Sequence, residues 1–190
     1  MKIRVALIAC MVMVCCVLNQ VKAEGIFASS SIFDNLQLGD KVALLMVYFG
    51  TTHDDTRALT IDVMTKKAKE TFPNVEVREA YTSRIVAYRL AKRGVIKKNP
   101  IEALAQLKAD GYTHVVVQSA NIIDGVEMES LRKDVAQMNF LFKEIRVGLP
   151  LLYSPEDYKK VIDAIVPQGK PNAANVLIGH GTYKPGTAQY

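Results

Sequence analysis

Val42-Ala43-Leu44-Leu45-Met46-Val47-Tyr48-Phe49-Gly50-Thr51-Thr52-His53 is the stretch on which the fold is decided. Every residue from Val42 to Phe49 is apolar, which fits a strand covered on both faces rather than one that alternates between core and water. The run stops at Gly50, and residues 51–55 supply cap residues for a helix. Its apolar positions Ala58, Ile61, Met64, Ala68 and Phe72 recur at spacings of three and four. The unit reads as a strand, a tight turn and an amphipathic helix.

The same alternation continues toward the C-terminus. Strands are expected at 75–80, 115–117, 145–148 and 175–178, and helices at 85–94, 101–109, 126–143 and 155–165. Parallel neighbours need crossover connections, and right-handed helical crossovers supply them. The class is therefore α/β: a mostly parallel sheet with helices on both faces, a flavodoxin-like arrangement.

Toward the N-terminus, residues 1–23 combine the basic Lys2 and Arg4, an apolar run of 14 residues from Val5 to Leu18, and a small residue at Ala23. That is the architecture of a secretory signal, and the run is short of the roughly 20 residues of a permanent span. An exported, periplasmic protein with no stable membrane span is expected, with a loose leader at 24–40 and an α/β domain at 41–170. Cys10, Cys15 and Cys16 all fall in the signal, so thiolate chemistry and disulfides are excluded from the mature chain. The signal carries three basic residues and no acidic one, so the formal charge of +5 falls to +2 on its removal. Bulk charge then gives no reason to expect nucleic acid.

In parallel sheets ligands gather at the carboxyl ends of the strands, where strand order reverses. The loops of interest are Phe49 to His53, Gln118 to Asn121, and Gly179-His180-Gly181-Thr182. The first and last share a plan, Gly with Thr and His close by, 129 residues apart, which fits either a duplicated half or a coincidence of strand-end chemistry. Of the three histidines, His114 precedes a strand and suits a solvent-edge or hydrogen-bonding role. His53 stands at a helix start, where it can cap free N–H groups or meet a ligand. His180 lies between two glycines at the ligand edge, as a metal ligand or proton acceptor, or as a turn-stabilising residue. Arg57 and Arg84 can add positive charge for an anionic ligand or lie on solvated helix faces. No HExxH, CxxC, Walker A, GxGxxG or GxSxG pattern is present.

Four segments in order carry a resemblance: Tyr48 to Arg57, Glu79-Ala80-Tyr81-Thr82-Ser83-Arg84, Asp110 to Gln118, and Gly179-His180-Gly181-Thr182. Together they resemble the anaerobic sirohydrochlorin cobaltochelatases, class II chelatases related in fold to ferrochelatase. The resemblance implies two α/β halves facing across a cleft that holds the tetrapyrrole, and insertion of Co²⁺ into sirohydrochlorin in cobalamin synthesis, with no organic cofactor. Fe²⁺ and Ni²⁺ are equally compatible with imidazole. It makes His180 a metal ligand and catalytic residue, and Gly50, Thr51, Thr52, His53, Arg57 and Arg84 substrate contacts. It also implies a glutamate and a second histidine beyond Gly-His-Gly-Thr, so residues 171–190 are expected to begin a second half, truncated here, supplied by a second copy or a separate polypeptide. Asn121 and Lys184 stand where the family commonly has histidine. An alternative is a non-catalytic extracytoplasmic binder of a tetrapyrrole or metal.

Overall fold

The computed structural model describes residues 31–176. The apolar run becomes β1 (Val42–Tyr48), an interior strand of a four-stranded, all-parallel sheet with β2 (Glu76–Tyr81), β3 (His114–Ser119) and β4 (Glu144–Val147) in the order β2-β1-β3-β4. Between β1 and β2 come α1 (Asp54–Leu59) and α2 (Ile61–Thr71); between β2 and β3, α3 (Arg84–Ala91) and α4 (Pro100–Ala109); between β3 and β4, α5 (Val126–Met138). After β4 follows α6 (Pro155–Ile165), on the expected boundaries.

Because strand side chains alternate between faces, β1 serves two cores. Ala43, Leu45 and Val47 join Val115, Val117 and Ile145 against Ala103, Leu104 and Leu107 of α4 and Met128 and Leu131 of α5. Met46 and Tyr48 turn the other way, with Tyr81, to meet Ile61 of α2 and Leu90 and Val86 of α3. Helices thus cover both faces, as expected. Each large apolar side chain buried there contributes about 2 kcal/mol, against roughly 0–1 kcal/mol for an exposed ion pair, so the layered core and not the surface charge holds the sheet.

The helix expected after Gly50 is two helices. The break falls at Thr60 (φ −126°, ψ −77°), whose hydroxyl donates to the Thr56 carbonyl at 2.7 Å and whose N–H turns to Arg57 O at 3.3 Å. A threonine that binds the preceding turn competes with the helical ladder. As a result only Ile61 of the apolar series is buried, while Met64 and Phe72 remain exposed. The helix expected through Lys143 ends at Met138 and tightens into a 3₁₀ turn (Asn139–Leu141), which turns Phe140 outward and Phe142 into the core. Asn175 and Val176 are not in a strand, and the rest of the strand expected at 175–178 lies outside the described residues. His114 is buried at the amino end of β3, its Nδ1 2.9 Å from Thr113 Oγ1, so its role is hydrogen bonding far from the ligand edge. No helix among the described residues is long and apolar enough to cross a membrane.

The end of the segment expected to be loose is fastened down. Ile32 is buried, and the Asp40 carboxylate, whose side chain is 3% exposed, accepts from Lys143 Nζ at 2.8 Å and from Gln37 N at 3.0 Å. The bond from Lys143, with the Gln37 N–H, lowers the Asp40 pKa from 3.8 to about 2. The folded pKa lies below the unfolded one, so the stabilisation is complete above the unfolded value and is lost as the pH falls through the folded one. Urea unfolding of wild type should therefore weaken between pH 4 and pH 2, and Asp40→Asn should show a shallower acid decline from a lower starting stability. Equal acid limbs would show that this clasp contributes nothing.

Candidate functional site

With β2 on one side of β1 and β3 on the other, strand order reverses at the carboxyl ends of β1 and β3, the place where parallel sheets open a crevice. Here the sheet bonding continues past the strands. Thr82 N donates to Tyr48 O (2.8 Å), Ser83 N to Phe49 O (3.1 Å), Ala120 N to Val47 O (2.9 Å), Leu151 N to Asn121 O (3.0 Å) and Leu152 N to Ile122 O (2.7 Å). The four strand-end loops are stitched into one platform. Four apolar side chains near the strand ends are exposed to solvent: Phe49 (53% exposed), Ile122 (59%) and Leu151 (56%) in the loops, and Ile85 (65%) in the first turn of α3. Exposed apolar groups clustered at a ligand edge mark a binding surface, whereas single ones mean little.

Gly50 sets the height of this platform. Its φ of +97° suits glycine, and a Cβ there would stand 2.4 Å from Cδ2 of Tyr81. The backbone of the β1 loop therefore rests directly on the Tyr81 ring, at the end of β2. Tyr48 beside it is satisfied through a 2.9 Å hydrogen bond between its hydroxyl and Thr65 Oγ1.

Charge is arranged unevenly around the platform. The first turn of α1 holds Asp54 and Asp55, and Asp55 already accepts from Thr56 N at 2.7 Å. That start is short and acidic, so it does not favour an anion. The start of α3 differs: Ser83 caps it by accepting from Val86 N, its first turn has no acid, and it begins with Arg84. Arg84 is exposed and makes no hydrogen bond or ion pair among the described residues, although its charge is felt by the Asp134 carboxyl, whose pKa burial pushes up. Arg57 is committed within the protein, donating to Asp54 Oδ1 at 2.9 Å and lying 3.6 Å from Asp62 Oδ2. Burial works against its charge, and the two carboxylates overcome it and raise its pKa.

The remaining expected contacts fall as follows. Gly50, Thr51, Thr52 and His53 are brought together in the β1 loop, with Thr51 Oγ1 accepting from His53 N at 3.2 Å. Thr52 O accepts from Arg93 Nη1 at 2.5 Å. His53 occupies the N-cap position by its backbone, but its exposed ring makes no capping bond, which removes capping as its side chain's function. His180 and the rest of 179–182 lie outside the described residues. Among the described residues no three His, Cys, Asp or Glu side chains converge as a metal site would require. Missed by the sequence reading were Arg93, which ties the β1 loop to the end of α3 through Thr52 and Asp54, and the apolar ring itself. The signal for these side chains, a bulky apolar residue within four positions of the end of each strand, is visible only once strand ends are fixed.

A cavity of about 540 Å³ lies at the opposite, amino edge, lined by Phe33, Leu36, Lys41, Val75 and Tyr112 with Asp40 and Glu76. Its acids already face Lys143 and Arg78, so it offers a cationic ligand little unspent charge.

Residues 42–190 match the family described as cobalt chelatase (CbiK). A sirohydrochlorin cobaltochelatase of Salmonella typhimurium is 33% identical over 154 residues, covering 79% of this chain and 58% of that protein. A sirohydrochlorin cobaltochelatase, CbiKC, of Nitratidesulfovibrio vulgaris is 35% identical over 156 residues, covering 79% of this chain and 55% of that protein. The chain spans little more than half the length of these curated relatives.

If Gly50 fixes the platform as described, Gly50→Ala should lower unfolding stability by about 2 kcal/mol or more, from backbone strain and the collision with Tyr81. Gly50→Ala combined with Tyr81→Leu should recover the collision part but not the strain. Wild-type stability in the single variant would contradict this packing.

Proposed function

The chain belongs to the cobalt chelatase (CbiK) family, and we propose that it acts at the carboxyl edge of its sheet as a sirohydrochlorin cobaltochelatase in cobalamin synthesis, with Co²⁺ and sirohydrochlorin as substrates. The observation that carries the reading is the platform of Phe49, Ile85, Ile122 and Leu151 with the uncommitted Arg84 beside it. Sirohydrochlorin is a flat macrocycle rimmed by carboxylates, so it needs an apolar floor and cationic or N–H donors at the edge. Arg84 meets a carboxylate, Thr51, Thr52 and His53 border the ring from the β1 loop, and Gly50 keeps the backbone close to it. Arg57 becomes available when a ligand carboxylate competes with Asp54 and Asp62.

Insertion exchanges pyrrole N–H protons for the metal. In this proposal the His180 imidazole presents the metal to the ring face; as the metal leaves its nitrogen for the pyrrole nitrogens, the freed imidazole accepts one of the two displaced protons and water takes the other. A single imidazole holds a labile divalent ion weakly, so the proposal requires further donors beside His180. The proposal also places the chain outside the cytoplasm, on the strength of its basic start and the apolar run of 14 residues up to Leu18.

Anaerobic absorbance of sirohydrochlorin with Co²⁺ tests the reading. Wild type should exceed the no-protein rate, His180→Ala should fall to it, and Arg84→Glu should raise KM for sirohydrochlorin about tenfold or more while the protein stays folded. A wild-type rate equal to background would sink the enzyme reading.

A further inference from the structure

Tyr81 is 0% exposed, and its hydroxyl has no hydrogen-bond partner among the described residues. The ring packs edge-on to Tyr48 at 6.5 Å between centroids, and Lys97 Nζ stands 5.1 Å from its centroid but is committed to Glu79 Oε2 at 2.7 Å. Phenylalanine would fill the same apolar cluster without hiding a polar group, so packing does not account for the hydroxyl. The Gly50 backbone rests on the ring, and the chain that leads on from it is lightly held. None of α1 is buried, and the segment from Gly50 to Leu59 is tied to the body by Arg57 to Asp62 and by Arg93 to Thr52 O and Asp54. Contacts of that exposed, charged kind are the readily exchanged ones.

We propose that Tyr81 is a second donor in a carboxylate subsite shared with Arg57: an acidic ligand takes the guanidinium from Asp54 and Asp62 and accepts the Tyr81 O–H. This rests on the proposed function, which supplies a ligand rich in carboxylates. Ile61 shares a buried cluster with Tyr81, and Arg57 pairs with Asp62, the next residue, so the guanidinium lies beside that cluster, where its charge acts on the phenol. Burial, helped by Glu79, pushes the Tyr81 pKa up to about 12, so the phenol keeps its proton near neutral pH and can only be the donor to an anion. Release of Arg57 leaves neither aspartate stranded, because Asp54 keeps Arg93 and Asp62 is open to water.

Metal-free binding of sirohydrochlorin, followed by its absorbance, tests this with the full chain and two variants. Tyr81→Phe should raise Kd about tenfold, the loss of one hydrogen bond to a charged acceptor, while its unfolding midpoint stays equal to or above wild type. Tyr81→Phe in an Arg57→Gln background should lose much less, since one carboxylate is shared. Sirohydrochlorin with its carboxyls methylated should bind wild type and Tyr81→Phe alike. Wild-type Kd in Tyr81→Phe would overturn the inference and leave the proposed function standing, as would a lowered midpoint, which would show that the hydroxyl is already satisfied. A wild-type protein that binds no sirohydrochlorin would instead overturn the proposed function and the inference with it.

Discussion

Hydrogen bonding on both edges of β1 is the constraint from which the rest follows. β1 pairs in parallel with β2 from Ala43 to Tyr48 and with β3 from Val42 to Val47. Parallel pairing on two sides forces a crossover in each direction, and right-handed crossovers put α2 on one face and α4 and α5 on the other, with α3 packed beside α2 before the chain crosses back. The residues of β1 must therefore be apolar on both faces, and the chain must diverge at the carboxyl end of β1. The position of the crevice is a consequence of topology before any side chain is considered.

That crevice is built by close packing rather than by loops free to choose their path. Gly50 rests on the Tyr81 ring, the loops after β1 and β2 share backbone hydrogen bonds, and the loop after β3 is bridged at Ile123 to Leu152. Backbone groups are satisfied within the platform, which leaves side chains as its upper surface. Its chemistry is accordingly apolar in the middle and charged at the side of α3. The acidic start of α1 and the ion pairs of Arg57 show why a positively charged residue near a ligand edge is not by itself a ligand contact: its unliganded partners set what a ligand has to displace.

Much of the fold was legible in the sequence because apolar runs bounded by Gly and cap residues leave few alternatives. Val42 to Phe49, the capping boxes at Asn99 with Glu102 and Ser154 with Asp157, and the apolar Val115 to Val117 each encode their element locally. The errors came where side-chain competition decides. Thr60 interrupts a continuous periodicity by bonding to Thr56 O, and the turn at Asn139 ends α5 early so that Phe142 can enter the core. At the site, residue types and loops could be read, so Gly50 to His53 and Arg84 were found where expected. Pairing could not be read: that Arg57 faces two aspartates, that His53 does not cap, and that Tyr81 hides a hydroxyl are properties of the assembled edge.

We place ligand chemistry at the carboxyl edge, and hydrogen exchange of the full chain with and without sirohydrochlorin is its sharpest test. Added protection is expected in 49–59, 82–86, 120–125 and 149–153, with the amino-edge residues 40–42, 74–76 and 111–113 unchanged. Protection centred on the amino-edge cavity, with the carboxyl-edge loops unaffected, would contradict it.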